Sequence, residues 1–150
     1  MMRDSFEEFE AIYEFCDPTK ETIPEIIDAA SAELYEKFGT GTITIGYWEG
    51  EEDTHRGIDP VSEADGIAII NLTDSADYQG GNFEIASWPE PARLGNYGDW
   101  IGDPNGHSHP EWLNEQGALL MCRGDRSIGF RTLVSGQCRR LVLELVNDTV

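Results

Sequence analysis

The spacing of apolar residues predicts two helices within the first forty positions of the chain. A capping-box sequence, SFEE, precedes apolar residues that lie three to four positions apart, which predicts a helix from about Phe6 to Phe15. A second helix begins at Thr22-Ile23-Pro24-Glu25, where an N-cap, a proline in the first turn and a reciprocal glutamate coincide, and Gly39 supplies its C-cap. Its apolar face consists of Ile23, Ile26, Ile27, Ala30, Leu34 and Phe38. Both helices are expected to cover a sheet.

From residue 42 onward, apolar residues alternate with polar ones, which predicts strands. Ile43, Ile45 and Tyr47 share one face of the first of these segments, as in a half-buried strand. Further runs of strand length lie between turn-forming residues: 67–72, 82–88, 118–122, 127–133 and 138–146. Two helices followed by about seven short strands predict a mainly β fold, an antiparallel jelly roll or sandwich with the N-terminal helices on one side.

The length and the cysteine content narrow the class of protein. A chain of 150 residues is expected to form a single domain, with helices over about 6–38 and strands over about 42–146. Three cysteines do not indicate a disulfide framework, so a cytoplasmic location is expected. Cys122 and Cys138 lie in apolar, strand-like runs and are expected to be buried thiols. No apolar run approaches the length that crosses a membrane, so no membrane partner is expected.

The charge balance disfavours a nucleic-acid partner. The chain has 10 basic and 29 acidic residues, a net charge of -19, and most of such a surface repels a phosphate backbone. Residues 123–140 are the exception, because they contain five arginines and a single acid, Asp125. This segment would attract an anionic small molecule. The alternative is that its arginines pair with carboxylates from the first half of the chain.

Two blocks of the sequence resemble a known family. The first, NLTDSADYQGGNFEI, combines Asn-Leu, an acidic turn and Tyr-x-Gly-Gly-x-Phe; the second is QGALLMCRGDRSIGFRTLVSGQCRRLVLEL. Together they resemble the iron(II)- and 2-oxoglutarate-dependent dioxygenases, in particular the prolyl-hydroxylase-like branch. The resemblance covers about 54–146 and implies a double-stranded β-helix, which is a jelly roll. The strand pattern predicts the same architecture independently.

The resemblance also implies a set of site residues in the second block. The family uses two histidines and one carboxylate to hold iron, and an arginine to bind the far carboxylate of 2-oxoglutarate. In an ungapped register, the distal histidine position is Ile128 and the arginine position is Cys138. Arg140 lies two residues further along on the same strand face, so it is the candidate for binding 2-oxoglutarate.

The remaining iron ligands are implied by the segment DTHRGIDP, which precedes the first block and allows two registers. One places His55 at the histidine position and Gly57 at the carboxylate position. The other places Gly57 at the histidine position and keeps Asp59 as the carboxylate. An active protein would therefore use Fe(II) and 2-oxoglutarate, with His55 or Asp59 on the metal, to hydroxylate a small molecule or a peptide.

Two other functions are compatible with the same sequence. Ile128 and Cys138 are what a non-catalytic jelly roll would have after losing its iron site, and such a domain would serve as a binding or assembly module. Alternatively, His107-Ser108-His109, followed by Glu111 and Glu115, resembles the first motif of the cupins, which implies a metal held by His107 and His109. The competing interpretation of that segment is a polar loop with solvated histidines.

Overall fold

The computed structural model describes residues 3–6, 9–50, 64–80, 83–85, 93–94, 100–101, 107–108, 115–124, 128–130 and 133–148. Within these residues the chain is mainly β with one α-helix. The elements are β1 (Arg3–Phe6), β2 (Phe9–Ile12), α1 (Ile23–Phe38), β3 (Gly41–Gly50), β4 (Gly66–Asn71), β5 (Tyr78–Gly80), β6 (Phe83–Ile85), β7 (Arg93–Leu94), β8 (Trp100–Ile101), β9 (His107–Ser108), β10 (Leu119–Cys122), β11 (Ile128–Phe130), β12 (Leu133–Gly136) and β13 (Cys138–Asn147).

The helix predicted from about Phe6 to Phe15 is wrong. This part of the chain forms the antiparallel pair β1 and β2, in which Phe6 lies opposite Phe9. A helix of ten residues is marginal by itself. As a strand, β2 pairs with β10 and buries Ala11 on one face of the sheet and Ile12 on the other. The pairing across the sheet therefore overrides the local capping pattern.

Helix α1 follows the prediction closely, because its end signals are local. The Oγ1 of Thr22 accepts a hydrogen bond from the backbone N–H of Glu25 at 3.3 Å, and Glu25 Oε1 accepts one from the backbone N–H of Thr22 at 3.0 Å. At the other end, the N–H of Gly39 donates to the carbonyl of Tyr35 at 2.9 Å. Among the described residues, no helix is long and apolar enough to cross a membrane.

Six strands form the main sheet, in the order β1-β2-β10-β4-β13-β3, and each neighbouring pair is antiparallel. Strands distant in sequence lie side by side, as in a jelly roll: β10 lies between β2 and β4, and β13 lies between β4 and β3. All six residues of β4 are buried, since β4 lies near the centre of the sheet with packed side chains on both faces.

The two faces of the main sheet have different partners. We call the side covered by α1 the helix face. The buried residues of α1 and of this side of the sheet form one cluster: Ile12, Ile26, Ala30, Leu34, Ala68, Ile70, Leu119, Met121, Leu141, Leu143 and Leu145. We call the opposite side the inner face, and its apolar cluster is smaller: Ala11, Ile67, Ile69, Leu120, Cys122 and Val142. Successive residues of a strand point to opposite sides, so each central strand contributes to both clusters.

The remaining described strands form short sheets: β11-β6-β9, β12-β5 and β7-β8. The strand predicted over 127–133 is divided between β11 and β12, which pair with different neighbours, β6 and β5. The strands predicted over 118–122 and 138–146 are confirmed as β10 and β13. The fold is therefore a mainly β, antiparallel jelly roll with one described helix, as the strand pattern predicted.

Candidate functional site

Arg140 is the most deeply buried charged residue among those the structure describes. It lies on β13 with 1% of its surface exposed. Its register partners are Asn71 on β4 and Trp48 on β3, so all three lie in one row across the sheet. Strand alternation places Arg140 on the inner face, together with Cys138 and Val142. Taking a guanidinium out of water is costly, and an anion beside it offsets that cost, so this row is a candidate site for an anion.

Next to Arg140, three neutral side chains are joined by hydrogen bonds. Asn71 Nδ2 donates to Tyr78 Oη at 3.0 Å. The thiol of Cys138 lies 3.8 Å from Asn71 Oδ1, to which it donates. The side chains of Tyr78 and Cys138 also pack together in one buried cluster. We call Asn71, Tyr78 and Cys138 the polar ring of the inner face.

Burial keeps both titratable members of the polar ring neutral. Desolvation is the main cause that raises the pKa of the Cys138 thiol, and Arg140 and Tyr78 oppose it. Desolvation also raises the pKa of Tyr78 far above its ordinary value, again against the charge of Arg140. Both groups lie beside the position of Arg140, because Asn71, to which both are hydrogen-bonded, is its register partner on β4. At neutral pH the polar ring is therefore uncharged and Arg140 supplies the positive charge.

The turn after β4 and a glycine of β12 set the position of the polar ring. Asn71 Oδ1 accepts a hydrogen bond from the backbone N–H of Thr73 at 3.0 Å, which turns the chain at the end of β4. Tyr78, 7% exposed, lies opposite Gly136 in the β5 and β12 pair. Gly136 has a φ of +82°, and a Cβ there would lie 2.2 Å from the carbonyl oxygen of Asp77. Only glycine allows this close approach.

The structure places some of the predicted site residues and leaves others outside its described part. Arg140 and Cys138 lie on one face of β13, as predicted, and both are buried. His55, Asp59 and His109 lie outside the described residues, so their roles as ligands stay predictions. Within the described part of the chain, no group of three or more His, Cys, Asp or Glu side chains could hold a metal ion.

Ile128, which the resemblance places at the distal iron-ligand position, lies in a described strand. Ile128 lies on β11 opposite Ile85 of β6, and Ile85 also lies opposite His107 of β9. An isoleucine has no donor atom for a metal, so position 128 supplies no ligand. His107 is thus on a strand, whereas the competing interpretation of its segment was a loop; its role as a metal ligand stays a prediction.

Asn71 and Tyr78 are the site residues that sequence reasoning missed. Both lie in the block NLTDSADYQGG, which carried the family resemblance, but nothing in that pattern assigned them to a site with Arg140. Their contact depends on the packing of β5 against the inner face of the main sheet. Asn-Leu before an acidic turn and a tyrosine before Gly-Gly were the signals present in the sequence.

Comparisons with known proteins establish the fold. No family model matches the chain, and no curated protein matches it in sequence. A prolyl-4-hydroxylase from Pseudomonas putida is similar in structure, with a TM-score of 0.59 and 12% identity, over 89% of this chain and 71% of that one. The viral collagen prolyl hydroxylase of Paramecium Bursaria Chlorella virus-1, a 2OG complex, gives a TM-score of 0.55 and 9% identity, over 95% and 97%.

A structure from a different enzyme class is similar to a comparable degree. The dTDP-6-deoxy-D-glucose-3,5-epimerase of Legionella pneumophila gives a TM-score of 0.52 and 12% identity, over 99% of this chain and 72% of that one. Identities this low establish a shared fold and no more. The protein therefore has the jelly-roll fold that the prolyl hydroxylases share with cupin-like epimerases, and its function must be argued from the site.

Proposed function

We propose that this chain is a 2-oxoglutarate oxygenase-like domain in which Arg140 binds the far carboxylate of 2-oxoglutarate. The observation that supports the proposal is the 1% exposure of Arg140 on the inner face of a jelly roll. A guanidinium offers two parallel N–H donors to a carboxylate, and this pairing is strongest where water is excluded. Ile69 and Val142, which belong to the apolar cluster of the inner face, provide such surroundings.

The described residues fit 2-oxoglutarate better than they fit iron. Arg140 supplies the cation, and the uncharged polar ring beside it introduces no carboxylate that would compete with the ligand. When bound with iron in this class of enzyme, 2-oxoglutarate supplies the electrons that activate oxygen. Ile128 has no donor atom, and the described part of the chain contains no metal cluster, so we derive no step through iron. Hydroxylation of a small molecule or a peptide would follow only if His55 or Asp59 holds the metal.

The residues of the chain would bind and orient the oxoacid. Arg140 fixes one end by its charge, and Trp48, half-buried beside it in the same row, limits the space across β3. The buried apolar side chains of the inner face keep water away from this region, which would strengthen the ion pair. One end of the ligand would therefore be held by an ion pair and by packing.

The proposal is tested by thermal unfolding of the metal-free protein without oxygen, alone, with manganese(II), with 2-oxoglutarate, and with both. A ligand at about a hundred times its dissociation constant stabilises the folded state by roughly 2.7 kcal/mol. For a domain of this size the midpoint should rise by about 5 to 10 °C. Stabilisation by 2-oxoglutarate is the expected result. No shift with any addition, in a protein that unfolds cooperatively, would contradict the proposal.

Two neighbouring arginines allow a matched control. Arg140→Gln should abolish the stabilisation by 2-oxoglutarate, since glutamine is polar but lacks the positive charge that pairs with the carboxylate. Arg139→Gln should retain it, because Arg139 is half-exposed on the helix face and pairs with Glu49 at 3.2 Å. Both variants remove one positive charge from the same strand, so a non-specific electrostatic effect would weaken both equally. An Arg140→Gln protein that is folded and binds like the parent would remove the assignment.

A non-catalytic binding module is the second candidate function. Ile128 cannot ligate a metal, and Cys138, at the position where the family has its cation, is a neutral, buried thiol. Under this alternative the domain binds an oxoacid or another carboxylate without turning it over. Iron-dependent consumption of 2-oxoglutarate by the purified protein would exclude it. Binding without turnover, with iron and reductant present, would favour it.

A further inference from the structure

Each member of the polar ring is in contact with the other two. Asn71 Nδ2 donates to Tyr78 Oη at 3.0 Å. The thiol of Cys138 donates to Asn71 Oδ1 at 3.8 Å. The side chains of Tyr78 and Cys138 pack together in one buried cluster. Asn71 therefore connects the other two side chains by hydrogen bonds.

Cys138 has a specific task in this arrangement. A thiol can donate a hydrogen bond, whereas an apolar side chain of similar size cannot. Without it, Asn71 Oδ1 would lose this donor in a site that is almost fully buried. Removing one partner of a buried polar group costs more free energy than a typical hydrogen bond contributes, so the members of the ring would reorient.

The polar ring is in direct contact with the position of Arg140. Asn71 is the register partner of Arg140 on β4, and Cys138 lies two residues before Arg140 on the same face of β13. Tyr78 comes from β5, which pairs with β12 rather than with the main sheet. The ring therefore links the main sheet to β5 beside Arg140.

We propose that Asn71, Tyr78 and Cys138 are positioning residues that hold the guanidinium of Arg140 in the orientation that binds an oxoacid carboxylate. This inference rests on the proposed function of Arg140. Cys138 is the member that makes it testable, because serine keeps both the donor and the acceptor whereas valine has a similar size and keeps neither. The polar ring thus determines affinity through geometry, without contributing charge.

The test measures the affinity of 2-oxoglutarate for the full chain, by calorimetry, at a temperature where every variant is folded. Cys138→Val should weaken binding by about tenfold, which corresponds to roughly 1.4 kcal/mol, the size of one well-placed hydrogen bond. Cys138→Ser should restore the affinity to within about threefold of the parent. Tyr78→Phe should weaken binding like Cys138→Val, and the double variant should be little worse than either, because both changes remove a hydrogen-bond partner of Asn71.

Cys122 provides the control for a purely structural effect. It is also buried on the inner face, but it lies on β10, away from the row that contains Arg140. Cys138→Val should lower the midpoint of unfolding more than Cys122→Val, because it also removes a buried hydrogen bond to Asn71, and only Cys138→Val should change the affinity. If Cys138→Val lowers stability and leaves the affinity of 2-oxoglutarate unchanged, the residue is structural and the inference is wrong.

The result of Arg140→Gln separates this inference from the proposed function. If Arg140→Gln binds 2-oxoglutarate like the parent, or if the parent does not bind it, the proposed function fails and the positioning role fails with it. If Arg140→Gln loses binding while Cys138→Val and Tyr78→Phe retain it, the proposed function stands and only the positioning role is overturned. Loss in all three, with recovery in Cys138→Ser, is the outcome expected from the structure.

Discussion

The two faces of the main sheet use the same strands for different purposes. On the helix face, α1 and the main sheet together form one apolar cluster of eleven buried side chains. On the inner face, the apolar cluster is smaller and gives way, at the start of β13, to a buried arginine and three neutral polar groups. The first face therefore holds the larger apolar cluster, and the second holds the proposed binding site. The fold thus allows substitutions to separate the two.

Arg139 and Arg140 show how one residue step changes the role of the same side chain. Arg139 points to the helix face, where its guanidinium lies 3.8 Å from the ring centroid of Tyr47 and 3.2 Å from a carboxylate oxygen of Glu49. Arg140 points to the inner face and is buried. A surface pair of the first kind contributes little free energy, whereas a buried guanidinium demands specific acceptors. The second arginine is therefore the functional candidate.

The largest expected effect is on the helix face. Leu143→Ala removes a fully buried side chain from beneath α1 and leaves a cavity, so we expect a loss of about 2 to 5 kcal/mol in the free energy of unfolding. Denaturant unfolding at 25 °C measures it. The affinity for 2-oxoglutarate, where the variant is folded, should stay near that of the parent. A variant as stable as the parent would contradict the division between the faces. So would a folded variant that no longer binds 2-oxoglutarate.

On the inner face, Tyr78→Phe should have a smaller effect on stability. The substitution keeps the aromatic ring but removes the hydroxyl, so Asn71 loses a hydrogen-bond partner in a buried site. We expect a loss of about 1 to 3 kcal/mol in the free energy of unfolding, from the cost of removing one partner of a buried polar group. Denaturant unfolding measures it. A cost under a few tenths of a kcal/mol would mean that the hydrogen bond between Asn71 and Tyr78 does not stabilise the fold.

The thiols of the two faces should make stability fall at alkaline pH. Cys16 packs against the helix-face cluster, and burial, followed by the charges of Glu21 and Asp17, raises its pKa to about 12. Burial also raises the pKa of Cys138 on the inner face. Because both pKa values are higher in the folded than in the unfolded chain, the contribution of these thiols to the free energy of unfolding is complete below about pH 8 and is lost as pH rises through 9 and beyond.

The size of this alkaline effect follows from linkage. One thiol that ionises near pH 9 only after unfolding should lower the free energy of unfolding by about 1 kcal/mol between pH 8 and pH 10. Cys16→Ala and Cys138→Val should each show a shallower decline than the parent over this interval, and other titrating groups cancel in the difference. Equal slopes for parent and variants would show that these pKa values are not raised by folding.

The helix face is the part that local sequence signals could predict. The bounds of α1 follow from Thr22, Glu25 and Gly39, whose capping contacts span only a few residues. The prediction for β3 as a half-buried strand is correct in part. Ile43 packs against the helix-face cluster, but Ile45 is 46% exposed, because β3 is an edge strand and α1 packs on β4 and β13.

The inner face could be predicted only in part, because its contacts join distant segments. Strand alternation was enough to put Arg140 and Cys138 on one face. The hydrogen bond between Cys138 and Asn71 joins residues 67 positions apart, and no local period encodes it. The same limit explains the wrong helix over Phe6 to Phe15: a capping-box pattern is local, whereas the pairing of β2 with β10 depends on residues more than a hundred positions away.

The smallest expected effect concerns the exposed arginine of β13. In Arg139→Gln the ion pair with Glu49 and the contact with Tyr47 are lost, but Arg139 and Glu49 are 50% and 64% exposed, so water screens the interaction. We expect less than about 1 kcal/mol of lost stability, and the difference should shrink further in high salt. Denaturant unfolding at low and high salt measures both quantities. A cost above about 2 kcal/mol would place Arg139 among the residues that hold the sheet together, and its use as the neutral control for Arg140 would then fail.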